Sequence, residues 1–310
     1  MPTENQANKL LTEYLEYLEI EKNRSPLTIR NYHFYLKRFL DFAKINKLDQ
    51  ITYEVVRQFR LYLNRLIVNG KPLTKSTQNY HSIAIRNFIK YLARHDVKTM
   101  APEKIELAKA GQRVVEFLDG SDLSRLLEAP LKSKNPEVVR LRDKAILELL
   151  FSTGLRVSEL VNLNRDSLNL DKDEFTIIGK GNKPRVVFMS DTARYWLKEY
   201  LNKRQDASMD LFIAHDRASK GRKDEKGLTA RSVERLVNKY RRQAGITKRV
   251  TPHTMRHSFA TDLLSNGADI RSVQSMLGHS SITTTQIYTH VTNQQLRQIH
   301  KQFHGKKSNK

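Results

Sequence analysis

The chain has 310 residues, long for one hydrophobic core and short for three, so two domains are expected. Lys and Arg outnumber Asp and Glu by 55 to 33, a net charge of +22 shared by both halves; that is the electrostatic footprint of a protein lying on polyphosphate, although a merely soluble basic protein has the same balance. Without cysteine, disulfides, thiolate metal sites and a cysteine nucleophile are excluded, and the polar N-terminus and the lack of any apolar run near ~18 residues argue against a signal peptide or a membrane span, so a cytoplasmic protein with no membrane partner is expected.

Residues 1–100 carry helical periodicity almost throughout. Leu10, Leu11, Tyr14, Leu15 and Leu18 form one stripe, after which Ser25-Pro26 supplies an N-cap and a proline at the first helical position. A second helix turns Ile29, Tyr32, Leu36, Phe39, Leu40 and Ala43 inward. The third is expected from about Tyr53 to Val68, stopping at Asn69-Gly70; the fourth, opened by Thr74 or Ser76, carries Tyr80, Ile83, Ala84, Phe88 and Leu92. Four helices with short connections make a small bundle. Lys75, Arg86 and Lys90 on its exterior each read alone as a solvated helix face, and together as candidates for a DNA-facing surface.

Periodicity fails from about Lys98 to Leu118, and residues 101–118 read as a linker. A second domain opens at Asp119-Gly120-Ser121, with Ser121 expected to cap a helix holding Leu123, Leu126 and Leu127. A helix from about Pro136 to Ser152 ends at Gly154, and Arg156 follows. The alternating, β-branched runs Glu174–Ile178 and Arg185–Met189 flank Gly179–Pro184, predicting a hairpin with Lys180 at its tip. Ser190 caps a helix to Leu201, Leu211–Ala214 is expected as a short strand, and His215–Gly227 is a charged loop. The helix after Thr229 carries Arg231, Arg235 and Lys239 at helical spacing, more often a solvated row but here a candidate phosphate or groove reader.

Thr251-Pro252 opens a helix with His253 and Arg256 on one face and Met255, Phe259, Ala260, Leu263 and Leu264 supplying the buried stripe. His257 sits four residues beyond His253, but the glutamate of a zinc-binding H-E-x-x-H helix is absent, so no metal is expected. Asp269 caps a short helix over Ile270–Leu277, stopped by Gly278, so that His279 leaves a fixed turn. Tyr288 lies about two turns into a Thr-rich, weakly helical segment, and Asn293–Phe303 has helical spacing again.

A tyrosine attacking a phosphodiester must lose its proton, the phosphorane's excess charge must be neutralised, and the leaving sugar oxygen must gain a proton. Arginine forks suit the charge, and histidines and a lysine suit the proton transfers. Arg156 taken alone reads as a surface residue, and Lys183 competes with Lys180.

In order and spacing, TGLRVSEL, IIGKGNKPR, TPHTMRHSFAT and LLSNGADIRSVQSMLGHSSITTTQIYTHV closely resemble the motifs of the tyrosine recombinase (phage integrase) family, nearest to its Xer-type members. The resemblance covers about Asp119 to Val291 and, more loosely, the N-terminal bundle. It implies a mainly α fold with a small β-sheet (α+β): a four-helix, SAM-like core-binding domain (1–100) and a mixed helical catalytic domain with a β-hairpin (119–292) forming a C-shaped clamp on DNA. Residues 293–310 would be a tail touching a neighbouring subunit.

It further implies Arg156 and Arg256 as the phosphate clamp, Lys180 as the proton donor to the leaving 5′-oxygen, His253 in proton transfer, His279 as a hydrogen-bond donor to the phosphate and Tyr288 as nucleophile; which histidine is the general base stays open. The partners implied are double-stranded DNA bearing a recombination site and a tetramer on two duplexes, of one chain or with a related recombinase. No cofactor is implied, because the phosphotyrosyl link conserves the bond energy. Integration, excision and chromosome dimer resolution are all compatible with these motifs. A type IB topoisomerase-like strand cutter and a non-catalytic DNA-binding protein are the alternatives.

Overall fold

The computed structural model describes residues 6–45, 47–109, 116–179, 183–215 and 227–278. The chain divides into two compact units, Met1–Gln112 and Arg113–Lys310.

The first unit is built from α1 (Gln6–Ile20), α2 (Pro26–Ala43), α3 (Tyr53–Arg65) and α4 (Lys75–Arg94). Side chains of Ser25, Thr52 and Thr74 accept the orphan amides of Thr28, Val55 and Thr77, which fixes where three of these helices begin. The core is aromatic: Phe39 meets Phe59 edge-on at 5.1 Å, and the buried Tyr14 lies 5.2 Å from Phe88.

Two expectations change here. Helix α3 stops at Arg65, because Ile67–Val68 (β1) and Lys71–Pro72 (β2) pair antiparallel around Asn69-Gly70, both at positive φ. That is a two-residue hairpin turn that Asn-Gly favours. On α4 the buried face runs through His81, Ala84, Ile85, Phe88, Ile89 and Leu92, while Tyr80 is exposed; helical spacing from Ala84 permits either choice, and packing against α2 and α3 decides it.

The second unit contains α5 (Gly120–Glu128), α6 (Glu137–Thr153), α7 (Val157–Val161), β3 (Glu174–Ile178), β4 (Pro184–Phe188), α8 (Asp191–Lys203), α9 (Ala230–Gln243), α10 (Pro252–Ser265) and α11 (Ile270–Leu277). Helix α6 is its centre, packed on α5, α8 and α10. Ala145–Leu150 is buried on every side, as a helix in the middle of a domain must be. Burying its charges costs several kcal/mol each unless they are paired. Each is paired: Arg142 with Asp143 at 2.7 Å, and Lys144 with Glu128 at 2.6 Å and Glu148 at 2.9 Å.

Strands β3 and β4 form the antiparallel hairpin expected from the alternation, with Glu174 opposite Phe188 and Ile178 opposite Pro184. Asp119, not Ser121, caps α5: its carboxylate takes the Asp122 amide, and Ser121 donates its hydroxyl to the same carboxylate. A carboxylate at the N-cap also complements the helix dipole. The strand expected at Leu211–Ala214 reduces to isolated bridges, Asn164 with Asp210 and Ile213 with Gly227. Residues 216–226 of the charged loop, the tip Lys180, and everything from His279 onward, including Tyr288 and Asn293–Phe303, lie outside the described residues. Among the described residues no helix is long and apolar enough to cross a membrane.

Candidate active site

The site grows from the ends of helices. Gly154 closes α6 at φ +60°, and an added Cβ would come within 2.5 Å of the Phe259 ring, so this turn accepts only glycine. The reversal sets Arg156 at the N-cap of α7. There Glu159, three residues on, accepts the Arg156 backbone amide at 2.8 Å and its Nη1 at 2.8 Å, a capping box in which the cap residue is itself ion-paired.

Arg256 lies one turn into α10, which Thr251 caps through the Thr254 amide. Its guanidinium is buried, 4% exposed, and donates Nη1 to the Gly154 carbonyl at 2.6 Å and Nη2 to the Leu277 carbonyl. Arg156 Nη2 reaches the Gly278 carbonyl at 3.2 Å. Arg185 of β4 donates Nε to the Met276 carbonyl at 3.1 Å and grips both oxygens of Glu159, at 3.2 and 3.0 Å.

Three consecutive carbonyls at the C-terminal end of α11 therefore each receive a different arginine. Those carbonyls form the negative pole of the helix, so the cationic forks are favoured by the dipole as well as by hydrogen bonding. The last of them belongs to Gly278, at φ +61°, the residue immediately before His279.

His253 projects from the first turn of α10 and keeps access to solvent. The surrounding protein, then Arg256 and Arg156, push its pKa below the ordinary histidine value, with Glu234 opposing. The ring is therefore neutral near pH 7 and has a lone pair to accept a proton. His257 is lowered further, to about 4, by burial, His253 and Arg256. Among the described residues there is no group of three or more His, Asp or Glu arranged to hold a metal.

Of the six residues singled out for catalysis, Arg156, His253 and Arg256 converge, while Lys180, His279 and Tyr288 lie outside the described residues. Two of those three nevertheless follow directly on described atoms of the cluster. Gly179, which precedes Lys180, faces Glu159 Oε1 and Arg185 Nη1, and Gly278 faces Arg185 Cδ. Sequence reasoning missed Glu159 and Arg185. The x-x-x-E of a capping box points to the first, and Arg185 sharing the inward face of β4 with the buried Val187 points to the second.

The basic residues proposed for DNA fall into two places, each within one unit. Lys75, Arg86 and Lys90 share a stripe of α4; Lys75 donates to Asn64 at 2.7 Å, and Lys90 edges a small pocket of about 200 Å³ with Tyr14, Tyr32 and Arg94. Arg231, Arg235 and Lys239 are exposed along α9, and the latter two border a cleft of about 470 Å³ over Arg142 and Asp143.

The Phage integrase family matches over residues 116–295, and the Phage integrase N-terminal SAM-like domain over residues 11–96. Tyrosine recombinase XerD of Staphylococcus epidermidis is 36% identical over 304 residues, covering 96% of this chain and 99% of the relative. Tyrosine recombinase XerC of Leptospira interrogans is 36% identical, covering 96% and 93%. Among solved structures, the XerH site-specific recombinase bound to palindromic difH substrate after cleavage superposes with a TM-score of 0.68 at 25% identity, over 95% of this chain and 84% of that one.

Proposed function

The chain belongs to the phage integrase family and is a tyrosine recombinase, and on that premise we propose how its residues cut and rejoin DNA at a specific site. The observation that carries the reading is the arginine brace on Met276–Gly278, which draws Arg156 and Arg256 together beside His253, with the residues preceding Lys180 and His279 at its edge.

Arg156 and Arg256 hold the nonbridging oxygens of the scissile phosphate and offset the charge that grows on them. Fixing these forks on backbone carbonyls before DNA arrives removes reorganisation from the reaction step. The Tyr288 oxygen attacks phosphorus as its proton passes to a base, with neutral His253 in reach of that task. The bond to the 5′-oxygen breaks, Lys180 gives that oxygen its proton, and His279 donates a hydrogen bond to the phosphate. A 3′-phosphotyrosyl link and a free 5′-hydroxyl result; attack by the 5′-hydroxyl of a partner duplex reverses the step and exchanges the strands.

Residues 1–100 act as the core-binding domain, 101–118 as the linker, 119–292 as the catalytic domain and 293–310 as a tail reaching a neighbour. Four protomers, alike or paired with a related recombinase, assemble on two duplexes in the cytoplasm. Lys75, Arg86, Lys90, Arg231, Arg235 and Lys239 contribute contacts to the duplex.

The test is covalent trapping. Genomic DNA recovered with the protein identifies the site, and a nicked suicide duplex carrying that site accumulates a protein–DNA adduct with the wild type and none with Tyr288→Phe. An adduct with Tyr288→Phe overturns the nucleophile, and no adduct with the wild type overturns the enzymatic reading.

A further inference from the structure

Arg185 belongs to no motif role assigned above, yet it joins the two stretches that carry the remaining donors. It sits opposite Ile177 in the hairpin ladder, one rung from the loop, and its side chain is only 10% exposed. Its two Nη groups grip Glu159, the carboxylate that also anchors Arg156, while Nε holds the Met276 carbonyl. Its aliphatic stem lies so close to Gly278 that an added Cβ there would meet Cδ at 2.8 Å. On the other side, a Cβ on Gly179 would sit 4.0 Å from Nη1, and the Gly179 amide closes the base of the loop by donating to Lys183 O at 2.8 Å.

The backbone ladder from Glu174 to Pro184 already forms the hairpin without this side chain. What the ladder does not supply is the placement of the loop base against the α11 terminus. A rigid fork that places two donors on the Glu159 carboxylate and a third on the Met276 carbonyl does supply it, and a lysine, a single ammonium on a flexible stem, does not.

We infer that Arg185 is a positioning residue for strand cleavage, setting the loop base at Gly179, the residue before Lys180, against the turn that ends in Gly278. This rests on the reading of Lys180 as proton donor to the leaving 5′-oxygen. Arg185 itself touches no reacting atom; removing its fork leaves the phosphate clamp loaded but the leaving group badly served.

Leaving-group chemistry separates this from a merely structural role. A suicide duplex with sulfur in place of the bridging 5′-oxygen departs as a thiolate, which, with a conjugate-acid pKa of about 8.5 on the cysteine scale, needs no proton donor. Arg185→Lys and Arg185→Met are measured in single turnover on the oxygen and sulfur forms of the site recovered by trapping, with DNA affinity and thermal melting recorded for each. Should the methionine variant not fold, the lysine variant alone decides.

The expected result for Arg185→Lys is a cleavage rate down ~10²-fold on oxygen, restored to within ~5-fold of wild type on sulfur, with affinity changed less than ~2-fold. An equal deficit on both substrates, or wild-type rates on both, overturns the inference. Lys180→Ala on the same pair tests the underlying reading on its own. If sulfur fails to rescue Lys180→Ala, that reading falls. If sulfur rescues Lys180→Ala but not Arg185→Lys, the reading stands and the inference falls; rescue of Arg185→Lys alone also overturns the inference, since Lys180 would not be the group positioned.

Discussion

The two units solve different problems with different interiors. In the first, the buried set is aromatic and aliphatic with His81 and Ser82 as its polar members, and cations such as Lys75 and Lys90 stay outside. In the second, Arg142, Asp143, Lys144, Glu148, Glu159, Arg204 and Arg256 are taken into the interior and paired there. Buried pairs are weak sources of stability compared with apolar packing, so their presence calls for another reason. At Glu159 and Arg256 that reason is geometry: a fork held on two carbonyls or two carboxylate oxygens has one orientation, which a surface lysine never has.

The contrast predicts where substitutions hurt and in which assay. Arg256→Ala should produce the largest effect. It leaves the Gly154 and Leu277 carbonyls without their arginine donor and, on the proposed mechanism, removes a positive charge facing the scissile phosphate, so adduct formation should fall ~10³-fold or more. Wild-type cleavage by this variant would break the distinction between the units. Phe59→Ala, in the aromatic core, should cost about 4 kcal/mol in thermal or denaturant unfolding, yet leave single-turnover cleavage at saturating DNA within ~2-fold when assayed below its melting point. A comparable loss of rate would show that the first unit also shapes the chemistry.

In the second unit acid should act through His257. With His257 held near 4 in the fold and about 6.5 unfolded, the unfolded chain binds a proton first as pH falls. Stability is therefore retained above about pH 6.5 and declines toward pH 4, by about 3 kcal/mol. His257→Asn should flatten that slope in denaturant melts taken across the window. The smallest effect belongs to the exposed row. Arg235→Ala should leave stability within about 0.5 kcal/mol, weaken DNA binding evenly across sequences and reduce the salt slope by ~1. A change in sequence preference would make Arg235 a base reader instead.

Much of this architecture is legible in the residues because it is written in local chemistry. Periodicity and caps locate α1, α2, α4, α6, α8, α9, α10 and α11, and alternation around Gly179–Pro184 locates the hairpin. The failures share a cause. Apolar Ile67 and Val68 fit the continuation of α3 as well as a two-residue strand, and only the positive φ at Asn69-Gly70 separates the two. The strand at Leu211–Ala214 looked regular locally but lacks a continuous partner. At the site, the motifs imply roles for Arg156, His253 and Arg256, whereas Glu159 and Arg185, though they lie within TGLRVSEL and IIGKGNKPR, show their role only in the contacts that join Glu159 to Arg185 and Arg185 to Met276, which periodicity does not report.

Those separations carry a further meaning for the life of the protein before it is complete. Arg156 meets its carbonyl 122 residues downstream, Arg256 reaches back 102 residues to Gly154, and Arg185 reaches forward 91 residues to Met276. Chains emerge from the ribosome N-terminus first, and contacts of long sequence separation form late. The helices of the first unit and α6 are thus synthesised well before the carbonyls of Met276–Gly278 exist, so the orientation of Arg156, Arg185 and Arg256 is the last part of this architecture that a growing chain can set.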